Sequence, residues 1–231
     1  PAPLARIDAA SAGLGVDPPD FTEADGSVTV AFTGAIQPTS AALVDVVLRA
    51  VRRVRASGTP LGQRLRLRCY GTSNLTWGHR RHAVLPAATA LGVADCVSEI
   101  PERIPYLQAM AVLRACDIVL VTGSTDSYYH ASKLYPAMVS GRPVLGLCHR
   151  DSSIRRVVED TGAGRCVTFR DVEEVSQLEQ PIADAIVELA ARGRAGIAVG
   201  RLEPFTARQS TRVLAAILER AAAPAPLAEA I

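Results

Sequence analysis

Lysine is nearly absent from this chain. Of its 25 basic residues, Lys133 is the one lysine and the others are arginine, so a general demand for positive charge does not account for it. Aromatic residues are scarce at 4%, and the formal net charge is only +2, with arginine, aspartate and glutamate interspersed and no long basic block. Nucleic acid is therefore not the expected partner. No window approaches the roughly 18 consecutive apolar residues of a membrane span. The N-terminus also lacks the basic, apolar, small-residue order of a signal peptide. The expectation is no transmembrane segment and a cytoplasmic location. There is no CxxC pair: Cys69, Cys96, Cys116, Cys148 and Cys166 lie 18 to 32 residues apart, mostly inside apolar runs, the pattern of buried, reduced thiols. No carboxylate cluster or His/Cys spacing suggests a metal. Neither GxGxxG behind a strand nor GxxxxGK[ST] occurs, which removes nicotinamide and P-loop cofactor sites and leaves no cofactor expected.

What the chain does have is apolar residues, 48% of 231, ample for a core. Residues 1–27, rich in Pro, Gly and Ala, read as a linker or lead-in. Beyond them, strand-length apolar runs alternate with helical stretches. Strands are predicted at 28–34, 64–71, 96–100, 117–123, 143–148 and 165–169. Helices are predicted at 40–58, with Leu43, Val47, Ala50, Val51 and Val54 on one stripe, at 79–92 with a break or restart at Pro86, and at 103–116, 152–164, 178–192 and 204–222. Six strands separated by helices, several apolar throughout, imply an α/β fold: a doubly wound, Rossmann-like, parallel six-stranded sheet covered on both faces. The expected domain runs from 28 to 222 including the closing helix, with a frayed tail at 223–231.

In such sheets ligands bind beyond the carboxyl ends of the strands. That rule selects Gly34 with Ala35, Gly71 to Asn74, Pro101 to Pro105, Gly123 to Ser127, and Cys148 to Ser153. These loops are rich in Gly, Ser and Thr, whose backbone N–H groups and hydroxyls can approach phosphate closely. Pro136 lacks an N–H and fits only a helix's first turn, so a helix must begin within about three residues upstream of it, beside Lys133. Gly141 ends that helix. A lysine there, at the ligand edge, is placed to meet an anion.

The stretch "SKLYPAMVSGRPVL" followed by "GLCHRDSS" resembles the sugar-nucleotide-binding C-terminal domain of GT-B fold glycosyltransferases, in the group carrying SKxYPxxxxxxPLLxxxH. The likeness runs from about Val28 to Ala222. It implies an enzyme, a glycosyltransferase whose donor is a nucleoside-diphosphate sugar of UDP or GDP type, acting in surface glycan synthesis. It also implies a preceding N-terminal domain, not contained in this sequence, that holds a glycan or lipid-linked acceptor. Carried over by position, Ser132 and Lys133 would contact the diphosphate or sugar. Gly34 would let the first loop approach phosphate, with Gly71 at the second loop. Arg103, Ile104 and Pro105 form the loop that holds the base, and Gly123, Ser124 and Thr125 lie beside the sugar. His149 and Ser152 fall on a phosphate-side loop, where Lys133 and His149 would serve catalysis. Two departures accompany this. The paired glutamates of many retaining members are replaced by Tyr128 and Pro136, and "GAIQPTSAA" lacks the cations that follow the first-strand glycine. Those departures leave open a non-catalytic GT-B-like module that binds a nucleotide or protein, and a sugar-nucleotide epimerase domain as a third reading.

Overall fold

The computed structural model describes residues 26–37, 40–73, 81–194 and 199–222. The lead-in and the tail therefore lie almost wholly outside the described residues, as does Asn74. The chain divides into two compact units, one ending at Ile197 and one beginning at Ala198.

The first unit is a single parallel sheet in the order β3-β2-β1-β4-β5-β6. Its strands are β1 (Val28–Thr33), β2 (Leu65–Tyr70), β3 (Val97–Ile100), β4 (Ile118–Thr122), β5 (Val144–His149) and β6 (Gly164–Phe169). All six lie inside or within a residue of the spans read from the apolar runs. Every neighbouring pair is parallel. The register aligns Thr33 with Tyr70 and Tyr70 with Ile100, so the loops that follow these strands leave from one rim. The chain winds outward from β1 through β2 to β3, then returns to start again at β4. The rim beside β1 is consequently the switch point where connections part in opposite directions, leaving a crevice.

One face is covered by α1 (Ala41–Ala56), α3 (Leu85–Ala90) and α8 (Glu179–Arg192). The seven buried side chains of α1 recur at helical spacing, from Leu43 to Val54, and pack with Val30, Phe32, Leu67 and Ile186 in one core. Each of its leucine and valine side chains contributes about 1.5–3 kcal/mol when fully buried. The other face carries α4 (Tyr106–Ala115), α5 (Leu134–Val139) and α6 (Ser153–Thr161). Short helices α2 (Pro60–Arg64) and α7 (Val172–Val175) complete the unit. Local signals explain the ends: the Ser152 hydroxyl accepts from the Ile154 N–H at 3.2 Å to open α6, and Gly162, at φ 67°, closes it.

Three helices begin three or more residues later than the sequence suggests, among them α4, expected from 103 and starting at Tyr106 behind Pro105. The stretch expected to be helical over 79–92 contributes only α3, which starts at Leu85 with Pro86 in its first turn, while Arg81–Val84 are not helical. Its cap comes from Glu99 on β3, whose carboxylate accepts from the N–H groups of Ala83, Val84 and Leu85 at 2.7, 3.0 and 2.9 Å. No local reading of 79–92 contains that partner. The second unit, described by itself, is a 3-10 segment, Val199–Phe205, followed by helix α9 (Ala207–Ala222). Pro204 lies in the 3-10 segment, and the Thr206 hydroxyl accepts from the Gln209 N–H at 3.2 Å, so the helix expected from 204 starts at Ala207. Among the described residues no helix is long and apolar enough to cross a membrane.

Candidate functional site: a cationic cavity at the switch point

A cavity of about 520 Å³ opens at the carboxyl ends of β1 and β2. Thr33 and Gly34 form its floor from β1, Tyr70 and Gly71 from β2, and Arg103 and Ile104 flank it from the loop after β3. Its wall is one stripe of α4, Tyr106, Ala109, Met110 and Leu113, spaced i, i+3, i+4, i+7 as a single helix face requires. Ser132, Lys133 and Pro136 close it from the start of α5, with Tyr129 just before them. No aspartate or glutamate is among these described lining residues, and the segments 38–39 and 74–80 contain none in sequence.

Lys133 is the N-terminal flanking residue of α5. The half-buried side chain runs back over the end of β1. Its Nζ lies 3.5 Å from the Ala35 carbonyl oxygen and 5.5 Å from the centre of the Phe32 ring. The path exists because residue 34 is glycine: a Cβ there would stand 2.1 Å from Lys133 Cε and 2.2 Å from Nζ. Gly34 also has φ 130°, backbone that other residues rarely adopt. Gly71, at φ 69°, takes the corresponding turn after β2 and donates its N–H to the Ile100 carbonyl at 2.7 Å. Burial, and then the positive charge of Arg103, hold the Lys133 ammonium below its ordinary pKa. Among the described residues, this lysine has one long contact to a carbonyl, a cation beside it and no carboxylate in the lining of its cavity, so its charge is left without a described counter-ion. Because α5 is only six residues long, the positive field here is that of the two side chains rather than of a helix dipole.

Six of the residues singled out in the sequence thus meet in one place: Gly34, Gly71, Arg103, Ile104, Ser132 and Lys133. Ala35, selected with Gly34, lines it too, whereas Gly123, Ser124, Thr125, His149 and Ser152 do not. Gly123 packs its bare Cα face against Cys148, where an added Cβ would come within 3.1 Å of the cysteine Cβ. The buried Ser124 hydroxyl accepts from the Asp126 N–H at 3.2 Å, shaping the loop in which Thr125 sits half-exposed. His149 is buried at the end of β5. Its Nδ1 accepts from the Asp151 N–H at 3.2 Å, which assigns the neutral ring's proton to Nε2, and its ring meets Phe169 edge-on at 6.1 Å. Ser152 caps α6 and donates its hydroxyl to the Tyr129 carbonyl at 3.3 Å, so it touches the site only through the backbone of a lining residue. Of the two positions where the resemblance would place glutamates, Tyr128 is 87% exposed and Pro136 lines the cavity.

The sequence reading did not single out Gln37, Tyr70, Tyr106 or Tyr129, nor the α4 stripe. The stripe's i, i+3, i+4, i+7 spacing was visible in "YLQAMAVL", but a helix face of this kind normally faces a core.

No protein-family model matches the chain. Among curated proteins it is 28% identical over 202 residues to a D-inositol 3-phosphate glycosyltransferase of Stackebrandtia nassauensis, covering 82% of this chain and 43% of that protein. It is 34% identical over 140 residues to a D-inositol 3-phosphate glycosyltransferase of Rhodococcus erythropolis, covering 60% of this chain and 28% of that one. The chain thus spans less than half the length of these relatives. Among solved structures, a UDP-forming α,α-trehalose-phosphate synthase from Burkholderia vietnamiensis superposes with a TM-score of 0.60 at 13% identity, over 95% of this chain and 52% of the other. The chain thus has a six-stranded, parallel, Rossmann-like fold, which it shares with that synthase, and it is similar in sequence to glycosyltransferases over most of its length.

Proposed function

We propose that the cavity holds the diphosphate of a nucleoside-diphosphate sugar, of UDP or GDP type, and that this chain is the donor-binding half of a glycosyltransferase. The observation that carries the reading is Lys133: a half-buried ammonium laid across a glycine at the switch point, next to Arg103, in a cavity with no acidic residue among its described lining. Taking a charge partly out of water is unfavourable unless an opposite charge meets it. A diphosphate supplies two or more negative charges to meet the two cations, and Gly34 leaves the room in which the lysine lies toward it. As the glycosidic bond to the donor breaks, negative charge grows on the departing diphosphate. Lys133 and Arg103 are then placed to stabilise that charge more strongly than the ground state, which accelerates transfer. Ser132, exposed at the rim, would add a hydroxyl contact. The acceptor, a glycan or a lipid-linked sugar, would be held by the remainder of such an enzyme. The similarity to glycosyltransferases over most of this chain supports the reading.

Calorimetric titration of the chain with UDP, GDP and their sugars tests it. Saturable binding is expected, weakened at least tenfold by Lys133→Ala. Absence of binding to every nucleotide, or binding indifferent to Lys133→Ala, overturns the proposal.

A further inference from the structure

Two cysteines of neighbouring strands meet on the sheet face that α6 covers. β5 and β6 run in a register that pairs Gly146 with Cys166 and Cys148 with Thr168. Side chains two apart on a strand point to one face, so Cys148 stands on the side where a side chain at 146 would stand. Glycine leaves that place empty, and the Cys166 thiol leans into it: a Cβ added to Gly146 would lie 2.6 Å from Cys166 Sγ. Ile154, in the first turn of α6, roofs both cysteines. Its Cγ2 lies 3.6 Å from that added Cβ, and its Cδ1 and the Cys148 Cβ lie 3.4 and 3.1 Å from a Cβ added at Gly123. The two thiols hydrogen-bond each other. That contact lowers the Cys148 thiol below its ordinary pKa in spite of burial, with help from the Arg155 N–H, and the same contact raises that of Cys166. The pair therefore gives up one proton readily and holds the second. Cys69, Cys96 and Cys116 are each pushed up by burial. Cys148 is fully buried, but Cys166 is half-buried on β6, the outermost strand.

We propose that Cys148 and Cys166 close a reversible disulfide when the chain meets a hydroperoxide, which makes the β5–β6 edge a redox-sensitive modification site whatever the cavity binds. The hydroperoxide oxidises one sulfur to a sulfenic acid and is itself reduced to the alcohol, or to water in the case of hydrogen peroxide. The second sulfur then attacks the first and expels hydroxide, which leaves as water with the second thiol's proton. Two S–H bonds are lost, one S–S bond forms, and the two electrons go to the peroxide. Diagonal neighbours on adjacent strands have Cα atoms about 7–8 Å apart, whereas a disulfide usually spans about 4.4–6.8 Å. Closure therefore requires β6 to shift along β5, and an edge strand has no outer neighbour to prevent it. A bond closed against such strain is easily reduced, which suits a reversible switch rather than a structural staple.

The test is treatment of the folded 231-residue chain with tert-butyl hydroperoxide, followed by a count of free thiols in denaturant and peptide mapping by mass spectrometry. Two of the five thiols are expected to disappear, with the peptides that carry Cys148 and Cys166 joined and two hydrogens lighter. Dithiothreitol is expected to restore both. Cys148→Ser and Cys166→Ser should each abolish the linkage, whereas Cys116→Ala should leave it intact. Survival of all five thiols, a linkage that maps to Cys69, Cys96 or Cys116, or a sulfinic acid at Cys148 or Cys166 without any linkage overturns the proposal. A variant that fails to fold does not blunt the test, because the linked peptide is read on the unaltered chain.

Discussion

Two charges, one buried and one half-buried, sit at the carboxyl rim of the same sheet, and they are handled in opposite ways. Glu99, beyond β2 at the outer strand β3, has a side chain with no exposure. It accepts three backbone N–H groups from residues 83–85 and the Thr72 hydroxyl, with His82 Nδ1 at 3.3 Å. Lys133, at the switch point, has one 3.5 Å contact to a carbonyl. Both groups titrate below their ordinary values, and the direction means different things. For Glu99 burial alone would raise the pKa, but the hydrogen bonds from Thr72 and the backbone outweigh it, so the charged form is favoured. For Lys133 burial and then Arg103 lower it, so the charged form is disfavoured. A buried charge whose partners come from the chain holds structure together. One without a charged partner among the described residues is where the ligand is proposed to sit.

The largest effect expected from that contrast is on stability. Glu99→Ala strands three N–H groups and a hydroxyl in a buried place, each unsatisfied donor costing about 1–3 kcal/mol. Some will find water, and a loss of about 3 kcal/mol is expected, read as a lower denaturant midpoint at unchanged slope. Lys133→Ala should change the unliganded midpoint by less than about 1 kcal/mol, because the lost packing of its stem is offset by removal of a poorly solvated charge. Equal losses in the two variants would remove the distinction between clasp and binding group. The clasp also reaches the cavity: the Thr72 carbonyl accepts from the Ile36 N–H at 3.0 Å, tying the loop after β2 to the loop after β1.

A smaller effect on folding, coupled to a full effect on binding, is expected at Gly34. Gly34→Ala puts a methyl where Lys133 Cε and Nζ now lie, and strains backbone at φ 130°. The strain costs about 1–3 kcal/mol, and the lysine must swing out of the cavity. UDP affinity should fall about as far as in Lys133→Ala, and Gly34→Ala added to Lys133→Ala should cause little further loss of affinity. Additive losses in the double variant would mean that glycine and lysine act separately.

The strands were legible because their signal is local. "IVLV" in β4 and "VLGLCH" in β5 are apolar throughout, as a strand covered on both faces must be, and the glycines that end β1 and β2 mark the turns into the site. Lys133 was legible because it is alone of its kind and Pro136 fixes where its helix can start. What stayed hidden depends on residues far apart in sequence. Glu99 caps a helix 14 residues before it, so the start of α3 could not be read from 79–92. Tyr106 looked like one apolar position on an ordinary helix face, and only the gap between α4 and α5 turns that face into a cavity wall. His149 shows the reverse. A histidine after a strand end suggests chemistry, but here its ring nitrogen takes a backbone N–H two residues on and its edge packs on Phe169.

The gentlest way to separate the two charges is pH. For Glu99 the folded pKa lies below the ordinary 4.5, so the unfolded chain takes up the proton first as pH falls. Its contribution to stability is therefore complete above about pH 4.5 and is lost only as pH drops through the lower folded value. For Lys133 the window is on the alkaline side. The folded chain releases that proton more readily than the unfolded chain, whose lysine keeps the ordinary 10.5. The unliganded protein should thus gain slight stability as pH rises from the lowered pKa toward 10.5, since the unfolded state then binds more protons. On the proposed donor-binding reading, binding runs the other way, because a diphosphate would need the ammonium: UDP affinity should decline as pH rises through the lowered pKa. Lys133→Arg should abolish that alkaline limb, as a guanidinium stays charged throughout, and Glu99→Gln should leave the limb in place. An alkaline limb that survives Lys133→Arg would assign the titration, and with it the anion contact, to some other group.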